Sequence, residues 1–214
     1  AASDLRTAAP AGGSTLSVRA LLRLAPERQH NLLRYWVRLR GFAAPPAQLL
    51  LRLAKMIEAP TRSHHAALSW PGAEVRRYRD DLWIMKPLTD PDPSLSLPWD
   101  PGRPLKVPGT GYVMRTEEAV GNGLAHTRIA TRALSVRLRR GGESCRLPGR
   151  EHHHKLKKLL QDAGIPPWER QRLPLVFVDD VLAAIGDRWV CEPFAARAGE
   201  TALRVVLEHR EKRD

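Results

Sequence analysis

Alternating apolar and polar positions in the second half of the chain predict a small antiparallel sheet. Leu134, Val136 and Leu138 fall on one side of the first predicted strand, and polar residues separate them. Three later apolar runs predict a meander, because short polar turns separate them. These runs are Leu175–Val178, Val181–Ile185 and Arg188–Val190, joined at Asp179-Asp180 and Gly186-Asp187. The alternation over Thr201–His209 predicts one more strand.

Helical spacing between the first of these strands and the meander predicts two helices. The apolar face of the longer helix is formed by Leu156, Leu159, Leu160 and Ala163. Lys155 and Lys158 fall on another face, and Gly164 stands where a helix commonly ends. Pro167 is placed to begin a second, shorter helix.

The first half of the chain has the pattern of three helices followed by a small sheet. The apolar stripes of these helices are predicted to be Leu16, Ala20 and Leu24, then Leu32, Trp36 and Leu39, then Leu49, Leu50, Leu53, Met56 and Ile57. Pro26 begins the second helix, Gly41 ends it, Pro45-Pro46 begins the third, and Pro60 ends that one. Shorter runs at Ala66–Trp70, Glu74–Arg79 and Leu82–Met85 predict strands.

Changes of composition along the chain predict its domain organisation. Residues 1–15 are rich in Ala, Gly and Ser, which is typical of a linker. Residues 16–86 form the helical domain with its small sheet, and the prolines within 87–110 predict an extended connector with edge strands around Leu95–Trp99 and Tyr112–Arg115. Residues 111–214 form a small mixed α/β C-terminal domain, in which Gly121–Arg132 is predicted to be mostly loop. The predicted fold class is therefore α+β.

Net charge narrows the classes of partner. The 214 residues include 35 Lys and Arg against 23 Asp and Glu, a formal net charge of +12. This excess favours an acidic partner, nucleic acid first and an anionic membrane surface second. No apolar run approaches the ~20 residues of a membrane-spanning helix, so no transmembrane helix is predicted. Because nucleic acid is the preferred acidic partner, no membrane is expected among the partners.

The cysteines and the first residues suggest where the protein works. Cys145 and Cys191 are too few for a disulfide scaffold, so a cytoplasmic location is the simpler expectation. The chain begins with Ala1 instead of Met and has no signal-peptide pattern. We therefore expect it to be a piece of a longer protein.

Positive charge is concentrated between Arg132 and Arg172. Because the apolar positions must face the core, the cations should gather on one side of the domain and form a polyanion site. A second basic set in the helical domain combines Arg34 and Arg38 with Arg76, Arg77 and Arg79. The candidates for polyanion contact are Arg137, Arg139, Arg140, Arg146, Arg150, Lys155, Lys157, Lys158 and Arg170, with Arg34 and Arg38. The alternative for each of them is an ordinary solvated charge.

One long run within this basic stretch is distinctive. It contains Arg140-Gly141-Gly142-Glu143, Arg146, Pro148-Gly149-Arg150, Leu156–Leu160 and Gly164–Leu175. This run resembles the C-terminal domain of the tRNA(Ile)-lysidine synthetases, most specifically in Pro-Pro-Trp-Glu-Arg followed by Arg-Leu-Pro. The pattern from Leu21 to Met85 is similar, more loosely, to the middle substrate-binding domain of that family, most clearly over Arg76–Trp83.

The resemblance implies that the parent protein uses ATP to attach lysine to the wobble cytidine of tRNA(Ile), which is then the expected partner. In that family a Ser-Gly-Gly-x-Asp-Ser loop in an N-terminal domain wraps the pyrophosphate, and this chain contains no such loop. ATP, Mg and lysine are therefore expected to bind only through that domain. We expect this chain to contain no catalytic residue and to hold the tRNA. In the family, the C-terminal domain binds the acceptor stem of the tRNA, and it recognises this stem by shape and charge.

Two other classes of protein remain open at this point. One is a free-standing nucleic-acid-binding or regulatory module with no enzymatic activity. The other is a protein–protein adaptor, which predicts a large exposed apolar patch instead of a basic face. The basic excess favours the RNA-binding interpretation over the adaptor.

The glycine-rich stretches and Glu143 have a functional and a structural interpretation. Gly12-Gly13-Ser14 and Gly141–Ser144 lack the Asp-Ser of a nucleotide loop, and Glu143 would repel phosphate. Glu143 is therefore expected to pair with a neighbouring arginine and hold its loop in shape. Trp168 could stack on a base, but it is predicted to lie in the core, as is Trp189.

The histidine triplet and Cys145 raise two further hypotheses. Three consecutive histidines, His152-His153-His154, cannot all ligate one ion from regular structure, and no partner motif accompanies them. No metal site is therefore predicted. Cys145 lies among cations that would favour its thiolate, but no base or acid at a suitable spacing predicts a catalytic thiol.

Overall fold

The computed structural model describes residues 15–59 and 67–209. The chain divides into two compact units, Ala1–Leu88 and Thr89–Asp214. Both units combine helices with antiparallel strands, which confirms the predicted α+β class. Most of the predicted linker, residues 1–14, lies outside the described residues, and Thr15 is part of a strand.

The first unit packs helices against one four-stranded sheet. Its helices are α1 (Val18–Leu21), α2 (Pro26–Leu39) and α3 (Ala47–Glu58), and its strands are β1 (Thr15–Ser17), β2 (Ala67–Trp70), β3 (Ala73–Tyr78) and β4 (Asp81–Met85). The strand order is β1-β4-β3-β2, and every pair is antiparallel. Trp36 of α2, Leu53 of α3 and Leu82 of β4 belong to one buried core.

Two predictions for the first unit are wrong. Leu16 lies in β1 and pairs with Leu82 instead of starting a helix. Ser17 follows, and its hydroxyl accepts the Ala20 N–H at 3.1 Å, so that α1 begins only at Val18. Leu39 is 58% exposed, because the buried face of α2 passes through Leu33 and Val37 instead. The predicted helix end at Pro60 lies outside the described residues.

The second unit contains two larger sheets and a short hairpin. The five-stranded sheet, in the order β14-β13-β12-β9-β5, comprises β5 (Ser96–Pro98), β9 (Leu134–Arg137), β12 (Leu175–Val178), β13 (Val181–Ile185) and β14 (Trp189–Val190). The four-stranded sheet, in the order β6-β7-β15-β8, comprises β6 (Leu105–Lys106), β7 (Tyr112–Val120), β8 (Leu124–Ala125) and β15 (Thr201–His209). The hairpin is β10 (Ser144–Cys145) with β11 (His154–Lys155), and the helices are α4 (His126–Ile129), α5 (Leu156–Asp162) and α6 (Pro167–Arg170).

The five-stranded sheet is covered on both faces. Val176 of β12 belongs to a core shared with the four-stranded sheet, and its neighbour Leu175 belongs to the core under α5. Successive residues of a strand point to opposite faces, which explains this division. Leu156 and Leu160 hold α5 against its core. The other side of that helix, which carries two lysines, therefore faces solvent.

The meander and the last strand are confirmed by the structure. The turn at Asp179 and Asp180 has φ values of 45° and 68°, as two-residue hairpin turns require. β15 pairs with β7 along its whole length. Gly164 follows α5 with a φ of 72°, and Pro167 begins α6, both as predicted.

The proline-rich segment and the predicted loop contain more structure than the sequence pattern indicated. From Thr89 onward the segment is part of the second unit, where β5 pairs with β9 and β6 pairs with β7. Gly121–Arg132, predicted to be mostly loop, is loop only at its two ends, because its central residues Leu124–Ala125 form β8 and His126–Ile129 form α4. β8 pairs with β15, which lies far along the chain, so the local pattern could not reveal this strand.

Cys145 and Cys191 form a disulfide, which corrects the expectation that the two cysteines stay unpaired. Their Cα atoms lie 5.6 Å apart, within the usual range for a disulfide. Beside them, the Glu192 N–H donates to the Arg146 carbonyl at 2.7 Å, and the two side chains form an ion pair. Covalent, hydrogen-bonded and ionic contacts thus join the same two segments. The cysteines no longer support the predicted cytoplasmic location, and Cys145 has no thiol for a catalytic role.

Candidate nucleic-acid interface

The hairpin places the start of α5 beside the glycine-containing loop Arg140–Glu143. In the hairpin, Lys155 pairs with Ser144, and His154 pairs with Cys145. The N–H of Leu156 then donates to the Glu143 carbonyl at 2.9 Å. The lysines of α5 and the loop therefore belong to one continuous part of the second unit.

Four of the predicted cations form what we call the α5 basic patch: Arg150, Lys155, Lys157 and Lys158. All four residues are exposed. Within residues 15–59 and 67–209, none of these side chains has a hydrogen bond or an ion pair. Such side chains can bind phosphates without breaking an internal contact of the protein.

Three other predicted cations are paired with carboxylates. Arg137 binds Asp180 of the β12–β13 turn, and its guanidinium carbon lies 4.6 Å from the centre of the Phe177 ring. Arg146 binds Glu192, and Arg139 Nε lies 3.5 Å from a carboxylate oxygen of Glu143. These carboxylates partly neutralise the three guanidiniums, and in Arg137 and Arg146 they occupy a terminal nitrogen that a phosphate would need. The three arginines therefore hold the domain together and are weaker candidates for direct contact.

Arg140 and Arg170 donate to backbone carbonyls instead. Arg140 donates from Nε to Pro93 at 2.9 Å and from Nη2 to Ser94 at 2.8 Å, which ties the loop to the segment before β5. Arg170 Nε donates to the Ile165 carbonyl at 2.6 Å. Because a carbonyl is neutral, the charge of Arg140, which is exposed, still contributes to the positive field beside the α5 basic patch.

Glu143 fixes the conformation of its loop, as predicted. One carboxylate oxygen accepts the N–H of Arg140 at 2.6 Å and the N–H of Gly141 at 2.8 Å. Gly141 and Gly142 have φ values of 101° and 89°, which side-chain-bearing residues rarely adopt. A carboxylate of the protein thus occupies the amides that a phosphate would need, so the residues of this loop do not fit ATP.

Replacing Glu143 with alanine is expected to lower the free energy of unfolding of the second unit by about 2 kcal/mol. The change leaves two amides without their acceptor and removes the carboxylate next to Arg139. Thermal unfolding of the purified variant measures this loss. The matched control is Glu151→Ala, since Glu151 is exposed and has no side-chain partner within the described residues. Equal melting temperatures for the two variants would refute the role given to Glu143.

The candidates of the first unit lie on the outer face of α2. Arg34 and Arg38 are exposed, one helical turn apart, and without a side-chain partner in the described part of the chain. Tyr35, which is 37% exposed, lies beside them and was missed by the sequence analysis. The signal was present, because the buried positions Leu33 and Val37 leave residue 35 outside. This face offers two cations and an aromatic ring, a combination suited to RNA.

The other arginines of the second basic set are engaged inside the first unit. Arg77 is only 9% exposed and donates to carbonyls at the end of α3. Arg76 pairs with Glu74, and the guanidinium carbon of Arg79 lies 5.2 Å from the centre of the Tyr78 ring. These three residues are part of the structure of the unit. Of this set, Arg34 and Arg38 are exposed without a side-chain contact within the described residues, whereas Arg79 is exposed but lies over the Tyr78 ring.

The histidine and tryptophan hypotheses also have structural outcomes. His154 is half-buried in β11, and the rest of the triplet is exposed. Nowhere in the described ranges do three His, Cys, Asp or Glu side chains converge in a way that could bind a metal ion.

No helix in those ranges has the length and apolar character needed to cross a membrane. Trp168 is buried as predicted, and Trp189 packs partly buried against the core under α5.

Comparison with known protein families shows to which family the chain belongs. Residues 16–83 match the family model described as "TilS substrate binding domain", and residues 134–207 match the one described as "TilS substrate C-terminal domain". The two units therefore correspond to the substrate-binding and C-terminal domains of one family. The chain belongs to the tRNA(Ile)-lysidine synthase family.

Individual relatives agree with this assignment. The chain is 37% identical over 182 residues to a tRNA(Ile)-lysidine synthase of Methylococcus capsulatus, covering 85% of this chain and 41% of the relative. It is 40% identical over 198 residues to one of Alkalilimnicola ehrlichii, covering 92% and 43%. The chain thus spans less than half the length of these relatives. A crystal structure of a TilS C-terminal domain aligns with 56% of this chain and 98% of its own, at 23% identity and a TM-score of 0.43.

Proposed function

We propose that this chain is the tRNA-binding portion of a tRNA(Ile)-lysidine synthase, and that it positions tRNA(Ile) for a reaction carried out elsewhere in the enzyme. The α5 basic patch carries the proposal, because its four exposed cations have no partner within the described residues. Duplex RNA presents closely spaced phosphates along a shallow minor groove, which exposed lysines and arginines can follow. The name of the relatives supports tRNA as the polyanion.

In the complete enzyme, we propose that ATP activates the wobble cytidine of tRNA(Ile) and that lysine is then joined to it in the cytoplasm. ATP and Mg bind outside this chain, in an N-terminal domain. The carboxylate of Glu143 in the glycine-containing loop supports this division of labour, since it fills the position of a bound phosphate. The part left to this chain is to bind and orient the RNA.

Filter binding of the 214-residue chain to isoleucine tRNA, with bulk tRNA as competitor, tests the proposal. We expect the logarithm of the affinity to fall with the logarithm of salt concentration by roughly 0.7–0.9 for each phosphate contacted. We also expect no lysine transfer when ATP, lysine and tRNA are supplied to this chain alone. A salt-independent affinity would reject the RNA-binding role, and measurable transfer would reject the division of labour.

A further inference from the structure

A cleft of about 740 Å³ lies in the second unit and is lined by none of the residues of the α5 basic patch. It is bounded by the loop of residues 99–104, by β7 and by α4. Its floor is apolar and includes the buried residues Trp99, Ile129 and Leu134. Its volume is in the ~300–1,000 Å³ range of small-ligand sites, and its lining is about equally polar and apolar, which suits a ligand that has both kinds of surface.

Arg132 lines this cleft, and contacts with residues beside the cleft hold its guanidinium in place. Its Nε donates to Asp179 at 2.6 Å, and its guanidinium carbon lies 5.3 Å from the centre of the Phe194 ring. Asp179 also accepts the Ala133 N–H at 3.0 Å, and the hydrogen bond from Arg132 holds the pKa of Asp179 below its ordinary value. Within the described residues, the two terminal nitrogens of Arg132 have no partner. They form a planar fork of donors that is held in place before any ligand arrives.

A further guanidinium, an imidazole and two carboxylates complete the rim. Arg103 has an 86% exposed side chain, and its Nε lies 3.6 Å from Asp100. His126 is exposed at the first position of α4. Asp100 and Glu118 line the cleft as well and supply acceptors for hydroxyl or amino groups. Arg115 lines it too, but Glu117 and Glu208 already bind its guanidinium.

We propose that this cleft binds one unpaired nucleotide. In this proposal the base packs on the apolar residues of the cleft, and the phosphate binds the terminal nitrogens of Arg132 and contacts Arg103 and His126. The carboxylates of the rim accept hydrogen bonds from the ribose or the base. A guanidinium fork matches two oxygens of one phosphate, which a solvated surface lysine does not do. The nucleotide is either a free molecule or an unstacked residue of an RNA bound to the chain.

Calorimetric titration of the 214-residue chain with 5′-AMP, adenosine and inorganic phosphate tests the free-nucleotide source. We expect 5′-AMP to bind about tenfold more tightly than either part alone, because both the floor and the fork are used. Arg132→Gln and the cleft-filling Ala130→Phe should each weaken 5′-AMP binding by about tenfold. The control Arg197→Gln, at an exposed residue of the same unit outside the cleft, should leave it unchanged.

A second arm compares a blunt RNA duplex with the same duplex carrying an unpaired 3′ extension. An RNA source predicts about tenfold tighter binding of the extended duplex, and Ala130→Phe should abolish that gain without changing the blunt duplex. Arg132→Gln removes the contact with Asp179 and could lower the stability of the unit. Ala130→Phe avoids this problem because Ala130 is exposed, so it tests the cleft independently. The proposal is overturned if neither 5′-AMP nor the extension is favoured, or if both cleft variants bind them normally. Retained binding of the blunt duplex in that case would leave the proposed tRNA-binding function standing.

Discussion

Replacing Lys155, Lys157 and Lys158 together with glutamine is expected to weaken tRNA binding by about a hundredfold near 0.1 M salt. The three lysines are exposed and have no side-chain partner in the described part of the chain, so each is available to a phosphate. Loss of three contacts should also reduce the salt slope by roughly two to three. Filter binding across a series of salt concentrations measures both quantities.

The matched control removes the same number of charges from elsewhere in the second unit. Lys106, Arg188 and Arg197 are exposed and likewise have no side-chain hydrogen bond or ion pair within the described residues. Their replacement with glutamine should change the affinity only a few-fold, through the general positive field. If both triple variants bind tRNA equally weakly, net charge is responsible and the α5 basic patch is not an interface.

Replacing Arg77 with methionine is expected to lower the free energy of unfolding of the first unit by about 3 kcal/mol. Nη1 of Arg77 donates to the carbonyls of Met56 at 2.6 Å, Ile57 at 2.9 Å and Ala59 at 2.7 Å. The last carbonyls of a helix have no partner within the helix, so this guanidinium satisfies them and opposes the negative end of the helix dipole. Methionine fills a similar volume but offers no donor.

Hydrogen exchange of the backbone amides of α3 is the direct measurement of this effect. We expect faster exchange in Arg77→Met than in the native chain, whereas Arg52→Met should exchange at the native rate. Arg52 lies on the exposed side of the same helix without a side-chain partner in the described residues, so the two variants differ in burial and bonding but not in chemistry. Unchanged exchange in Arg77→Met would show that water replaces the guanidinium at no cost.

Local pattern was sufficient for several elements that bury a regular face, although it misplaced Leu39 in α2. The alternation in Leu134–Leu138 and the helical spacing of Leu156 and Leu160 both predicted the buried residues correctly. Turn residues such as Gly164 and Pro167 then set the helix ends. These signals act over a few residues, and a single sequence contains them completely.

What the sequence could not reveal depends on residues that are distant along the chain. β8 exists because it pairs with β15, and Leu16 is in a strand because it pairs with Leu82. The same holds for charge, because Arg137 is bound by Asp180, 43 residues away. A list of cations from the sequence therefore mixed arginines that hold the fold together with lysines that remain available. The tertiary structure was needed to separate the two kinds.

The carboxylate of Glu143 within its own loop also bears on how this surface discriminates among anions. Cells contain abundant soluble phosphate compounds, each of which would compete for an open cradle of backbone amides. Here that cradle is satisfied internally, so at the α5 basic patch a small anion meets only separate, solvated cationic side chains. Under the proposed function, a long RNA would engage several of them at once and gain from multivalency what a single phosphate cannot. Preference for a macromolecular ligand over the metabolite pool would thus follow from one acidic side chain.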